Sequence, residues 1–150
     1  MLKINRWPCL VGIAAVVSCL TPAGAAGQDA DAADAPAPVA QADLEWVEIV
    51  PGISFAAVYG QWDAEAHGKF VRFEPGAAAP LHRHSSAYRG VMVQGRLTNP
   101  YPGEEAVEMA PGDYWHVPAG MAHANECVSE EPCLFFTYGD AAWDITMADD

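Results

Sequence analysis

The segment PLHRHSSAYRG, residues 80 to 90, places two histidines one residue apart and then a tyrosine and an arginine. Side chains along a strand alternate between faces, so His82 and His84 point the same way. That is half of a metal site built on a sheet. Acidic ligands are not at hand, because no Asp or Glu occurs between Pro75 and Glu104. A third histidine, His123, follows Pro118-Ala119-Gly120. Imidazoles brought together in this way suit Fe, Zn, Mn, Ni or Cu wherever a fold gathers them. The other two histidines have weaker claims. His116, in YWHVP beside Trp115, reads as a structural strand residue, and His67, in DAEAHGK, reads as a loop residue. Trp46, Trp62, Trp115 and Trp143 read as core or rim aromatics.

The elements that must position these groups are strands. From Leu44 onward the chain runs in short apolar stretches broken by Gly and Pro: WVEIVPG, ISFAAVYG, KFVRFEPG, YRGVMVQG, YWHVPAG, CLFFTYG, WDITM. Regularly spaced strands with turn signals predict an all-β sandwich or barrel. No stretch of helix length carries a 3.6-residue period. There is no Gly-rich phosphate loop, heptad or internal repeat. A single antiparallel closed barrel fits best.

Ahead of the domain stands an export segment. Lys3 and Arg6 precede the apolar run PCLVGIAAVVSCL, which is short for a membrane span, and Ala23-Gly24-Ala25 offers a small-residue cleavage pattern. Residues 1–25 therefore read as a signal peptide. VVSC at 16–19 also resembles a lipobox, which would make Cys19 a lipidated N-terminus. Both readings place the protein outside the cytoplasm, periplasmic or secreted, with no transmembrane span after processing. Residues 26–43, almost wholly Ala, Asp, Pro, Gln and Gly, bury too little to offset ordering entropy and read as a disordered linker. The folded domain is expected at 44–150.

The net charge is −13, and removal of Lys3 and Arg6 takes it to −15. So acidic a chain is repelled by nucleic acid and anionic lipid. Its remaining basic residues, Lys69, Arg72, Arg83, Arg89 and Arg96, share a stretch with a single acid, Glu74. They read either as a solvated strand face or as a positive patch that draws an anion toward the histidines. Cys127 and Cys133, separated by VSEEP, suggest a disulfide across a hairpin, since an even pair in an oxidising compartment usually bridges. Two buried thiols are the other reading.

Two blocks carry a family resemblance. The first runs from Gly76 over five residues to His82-Arg83-His84 and closes at VMVQG. The second is Gly112, five residues, Pro118-Ala119-Gly120, two residues, then His123. Both spacings resemble the two cupin motifs, over about residues 69 to 138. The resemblance implies a cupin-type jelly-roll β-barrel with His82, His84 and His123 as ligands of one divalent transition metal ion. A homodimer is compatible with it. Where many cupins place a glutamate ligand, this chain has Tyr88 and Arg89, and Asn125 follows His123 by two residues where the family asparagine follows by four.

Without the carboxylate, a divalent ion keeps its full charge and more than one open position, which favours a small anionic ligand or substrate. Tyr88 could orient that ligand, donate a proton from beside the metal, fill the barrel mouth or ligate. Two functions stay open. One is a metal-dependent enzyme of dioxygenase, isomerase or lyase type. The other is a non-catalytic extracytoplasmic module that binds a metal or a small molecule, favoured by the lack of an evident general base.

Overall fold

A computed structural model describes residues 38–148. The expected signal segment, Cys19 included, lies outside the described residues, as does most of the expected linker. Residues 38–43 are exposed and form one 3-10 turn, Gln41–Asp43. The rest is strand and loop: β1 (Val47–Val50), β2 (Ile53–Tyr59), β3 (His67–Phe73), β4 (Ala78–Arg83), β5 (Tyr88–Gln94), β6 (Leu97–Thr98), β7 (Glu108–Met109), β8 (Tyr114–Val117), β9 (His123–Cys127), β10 (Cys133–Gly139) and β11 (Thr146–Met147). No helix among the described residues is long and apolar enough to cross a membrane.

The strands form two sheets, ordered β1-β2-β3-β10-β5-β8 and β11-β4-β9-β6-β7, and every pairing is antiparallel. The chain keeps crossing between them, so β9 sits between β4 and β6 while β10 sits between β3 and β5. This is an antiparallel jelly roll. Its core is built by alternation: Phe55 of β2, Val71 and Phe73 of β3, Met92 of β5 and Phe135 of β10 face the partner sheet. Phe73 and Phe135 lie 5.6 Å apart, and Trp115 meets Phe135 edge-on at 5.4 Å. Gly90 lies opposite Trp115, and a Cβ there would come within 2.2 Å of the indole, so hydrogen alone fits at that position.

Two turns hold the histidine-bearing segments. Gly76 turns the chain into β4 with φ +74°, and its N–H donates to the Cys127 carbonyl at the far end of β9. Gly120, also at φ +74°, donates its N–H to the His84 carbonyl at 2.8 Å. The second histidine block is thus tied to the first by a backbone bond three residues before His123 is reached.

Cys127 ends β9 and Cys133 opens β10, with Cα atoms 5.7 Å apart and the sulfurs bonded. They do not span a hairpin. β9 and β10 lie in different sheets, so the bond joins the two layers. The six-residue spacing is shared by both geometries, and only strand pairing separates them. Alkylation without reductant should leave both cysteines unmodified. Cys127→Ala with Cys133→Ala should cost about 2 kcal/mol by the loop-entropy relation for so small a loop, measured by urea unfolding.

Candidate metal centre

His82, His84 and His123 meet inside the barrel. β4 pairs with β9 so that His82 faces His123, but the register slips between Ala79 and His82. That irregularity decides the site. In regular pairing from Ala79↔Asn125, Leu81 would oppose His123, and the histidines of β4 would turn outward. Pro80, which has no N–H to give a ladder, sits within the slip. The ring centroids stand 4.3 Å (His82–His123), 4.9 Å (His82–His84) and 5.1 Å (His84–His123) apart. One ligand nitrogen from each lies within 4.8 Å of the others, and all three side chains are buried.

Hydrogen bonds orient the rings. His82 Nδ1 donates to the Pro80 carbonyl at 2.7 Å, His123 Nδ1 to the Met121 carbonyl at 3.1 Å, and His84 Nδ1 to the Asp144 carbonyl. A carbonyl can only accept, so each Nδ1 carries the proton and each Nε2 keeps its lone pair. Such outer bonds fix the tautomer of metal-binding histidines. Burial pushes His84 down to about 3 and His123 down to about 4, and it lowers His82 as well. At neutral pH the three rings are uncharged acceptors. His84 Nε2 is buried with no partner at all. A buried lone pair without a donor is costly, and a cation fits here better than any side chain present.

Tyr88, at the start of β5, donates its hydroxyl to His123 Nε2 at 3.0 Å. The position where a cupin glutamate commonly stands is therefore aimed at a ligating nitrogen. Burial raises the phenol's pKa, so Tyr88 is a neutral O–H donor beside the site. His116 sits exposed on β8 and takes no part.

Two readings of the sequence need correction. His67 is not a loop residue: it opens β3, is 1% exposed, and donates from Nδ1 to the Glu65 carbonyl. The basic stretch is not one patch either. Arg72, Arg89 and Arg96 pair with Glu74, Asp140 and Glu108 at the surface, whereas Lys69 is buried inside the barrel. Trp143, from the loop before β11, stacks on His84 at 4.0 Å and carries the Lys69 ammonium over its other contacts, 3.8 Å from the ring centroid. Sequence reasoning named Lys69 only as one of five residues in a basic stretch and Trp143 only as a core or rim aromatic. Lys69 had a signal: in HGKFVRF it alternates in phase with Val71 and Phe73, the core face of β3.

A jelly roll whose inner wall brings together three buried histidines from the two motif blocks defines a cupin. The chain belongs to the family described as the ChrR cupin-like domain, whose sequence pattern matches residues 34–142. It is 30% identical over 105 residues to the DNA damage-repair/toleration protein DRT102 of Arabidopsis thaliana, an alignment covering 69% of this chain and 32% of that protein. The chain thus spans about a third of that relative's length. Solved structures share the fold at low identity. KdgF from a Halomonas species aligns at TM-score 0.59 with 20% identity, covering 71% of this chain and 94% of its own. The polyketide cyclase RemF from Streptomyces resistomycificus aligns at 0.66 with 16% identity, covering 77% and 87%. A cupin sugar phosphate isomerase from Silicibacter pomeroyi aligns at 0.62 with 20% identity, covering 76% and 83%.

Proposed function

We propose that this chain is an exported, metal-dependent cupin that holds one divalent transition metal ion on His82, His84 and His123 and acts on a small anionic molecule inside the barrel. The observation that carries this reading is the orientation of the imidazoles: three Nδ1–H groups are committed to backbone carbonyls, which turns the Nε2 atoms to the cluster, that of His84 without any partner and that of His123 meeting only the Tyr88 hydroxyl, which a metal would displace. An ion held there by neutral ligands supplies Lewis acidity and open coordination positions. The chain's own groups would do the rest. An ion at His123 Nε2 would displace the Tyr88 hydroxyl from that nitrogen and leave a neutral O–H beside the site, fit to orient a ligand or give it a proton. Trp143, Phe55 and Phe135 give the cavity apolar walls. The Cys127–Cys133 bond supports an oxidising, extracytoplasmic setting.

A non-catalytic binding module is the second reading, and one observation favours it. Among the described residues no Asp or Glu lines the cavity, so no carboxylate stands ready as general base. Metal analysis of the purified chain comes first: about one Fe, Zn, Mn, Ni or Cu per chain is expected, and a protein that takes up none of them refutes the metal centre and leaves only a metal-free small-molecule binding module. Turnover separates the two. The loaded protein is offered small 2-oxo, hydroxy and thiol acids while oxygen uptake and product formation are followed. Tyr88→Phe should keep the metal and lower turnover by at least about tenfold if its hydroxyl takes part in proton transfer. Turnover equal to the parent's places Tyr88 in packing alone.

A further inference from the structure

The cavity beside His82 and His84 extends toward β3 and β10, where a second polar feature lies. Lys69, 1% exposed, reaches into it from β3. Its partners are few. Nζ donates to His67 Nε2 at 3.1 Å and lies over the Trp143 and Phe55 rings, 3.8 and 5.4 Å from their centroids. His67 Nδ1 is committed to the Glu65 carbonyl, so this imidazole is a neutral acceptor and offers no countercharge. Among the described residues, the charged or titratable groups around the cavity are Lys69 and His67 on β3, His82 on β4, His84 just after it, and Tyr88 on β5, none of them a carboxylic acid. Directly across the pairing of β3 with β10 stands Thr137, 3% exposed, whose hydroxyl lines the same cavity and has no partner.

A buried ammonium without a carboxylate is costly, and so is a buried hydroxyl without a bond. Burial drives Lys69 down to about 7, which records that cost. Both would be relieved by one occupant. It must carry negative charge for the ammonium and an acceptor oxygen for the hydroxyl. The remaining walls (Phe55, Val71, Phe73, Phe135) are apolar, and the cavity measures about 140 Å³. A phosphate dianion asks for more: several donors and more than one cation, and among the described residues no arginine lines the cavity. A single cation with a single hydroxyl matches a carboxylate.

We propose that Lys69 and Thr137 form the carboxylate-receiving end of this cavity, holding the acid group of a compact, otherwise apolar ligand whose other end faces the three histidines. This deepens the reading of a small anionic ligand given above, and it assigns the anion to the protein's own ammonium instead of to the metal.

The test uses the chain with and without chelator, and three short linear probes: butanoate, its near-isostere butanamide, and the larger butyl phosphate. Binding is followed by NMR titration. For the chelated protein butanoate should bind in roughly the millimolar range, as suits so few atoms. Butanamide and butyl phosphate should each bind at least about tenfold more weakly, the amide for lack of charge and the phosphate for lack of donors. Lys69→Met, nearly isosteric, should weaken butanoate by about tenfold or more while leaving the amide where it was. Thr137→Val should weaken butanoate about threefold or more, and it carries the test if the lysine variant does not fold.

The proposal is overturned if butanoate and butanamide bind alike, if Lys69→Met holds butanoate as the parent does, or if the chelated parent binds none. Butanoate that binds only to metal-loaded protein, indifferent to Lys69, puts the acid on the ion: this proposal fails and the metal site stands. Tighter butyl phosphate than butanoate also overturns it. A chain that binds butanoate through Lys69 yet never takes up metal keeps this proposal and refutes the metal reading.

Discussion

His123→Ala should strip the protein of stoichiometric metal. His82 and His84 come from one strand segment, and His123 alone closes the triangle from β9. With no carboxylate in the cluster, removing one of three neutral ligands leaves two. Loss of a mere outer hydrogen bond to a metal ligand costs about 10- to 100-fold in affinity, so loss of the ligand itself should exceed about 100-fold. The parent is expected to keep about one ion per chain through dialysis against a mild chelator, and His123→Ala none. His84→Ala should behave the same way. His116→Ala serves as the control, because that side chain is exposed on β8 and touches no part of the site. If His123→Ala retains its ion under those conditions, these histidines do not form the site.

Acid should unfold the metal-free protein earlier than a core of this kind would otherwise allow. In the folded chain His84 and His123 lie at about 3 and about 4, against 6.5 in the unfolded chain, chiefly because burial penalises the imidazolium. The unfolded chain therefore binds more protons between about pH 6.5 and 4, and stability must fall as pH falls through that window. Above pH 6.5 the contribution is fully present. Each unit of difference is worth about 1.4 kcal/mol, so the two rings together forfeit several kcal/mol, a large share of a typical domain's 5–15 kcal/mol. Lys69 acts elsewhere. Its lowered value, about 7 when folded, makes stability rise from about pH 7 toward the ordinary lysine range, outside the histidine window. Urea unfolding of the chelated protein at pH 7, 5.5 and 4.5 measures the slope. His84→Gln should flatten it, and an unchanged slope in that variant would show that His84 is not the buried neutral ring described here. Saturating metal should hold stability up until protons displace the ion.

How much of this was legible in the residue order differs from group to group. The two histidine blocks and their turns were, because Gly76, Gly112, Pro118 and Gly120 mark tight corners and His-x-His has one meaning on a strand. The bonds that orient His82 and His123 are also local, each reaching a carbonyl two residues back. The ring of His84 is different. It is held by the Asp144 carbonyl and stacked on Trp143, some sixty residues on, and no local pattern ties those positions together.

The sequence by itself determined the all-β class, the three histidines, the absence of an acid among them and the tyrosine that stands in the acid's place. Each of these depends on residue identity and short spacing, which the chain carries before it folds. Only the tertiary structure decided three other things: the bond between Cys127 and Cys133 joins two sheets, Lys69 lies among the core residues with no countercharge, and Tyr88 meets His123. A strand's period says that two faces differ and not which face is covered. That is settled by the strands that pair beside it, and for β3 these are β2 and β10, the latter more than sixty residues away.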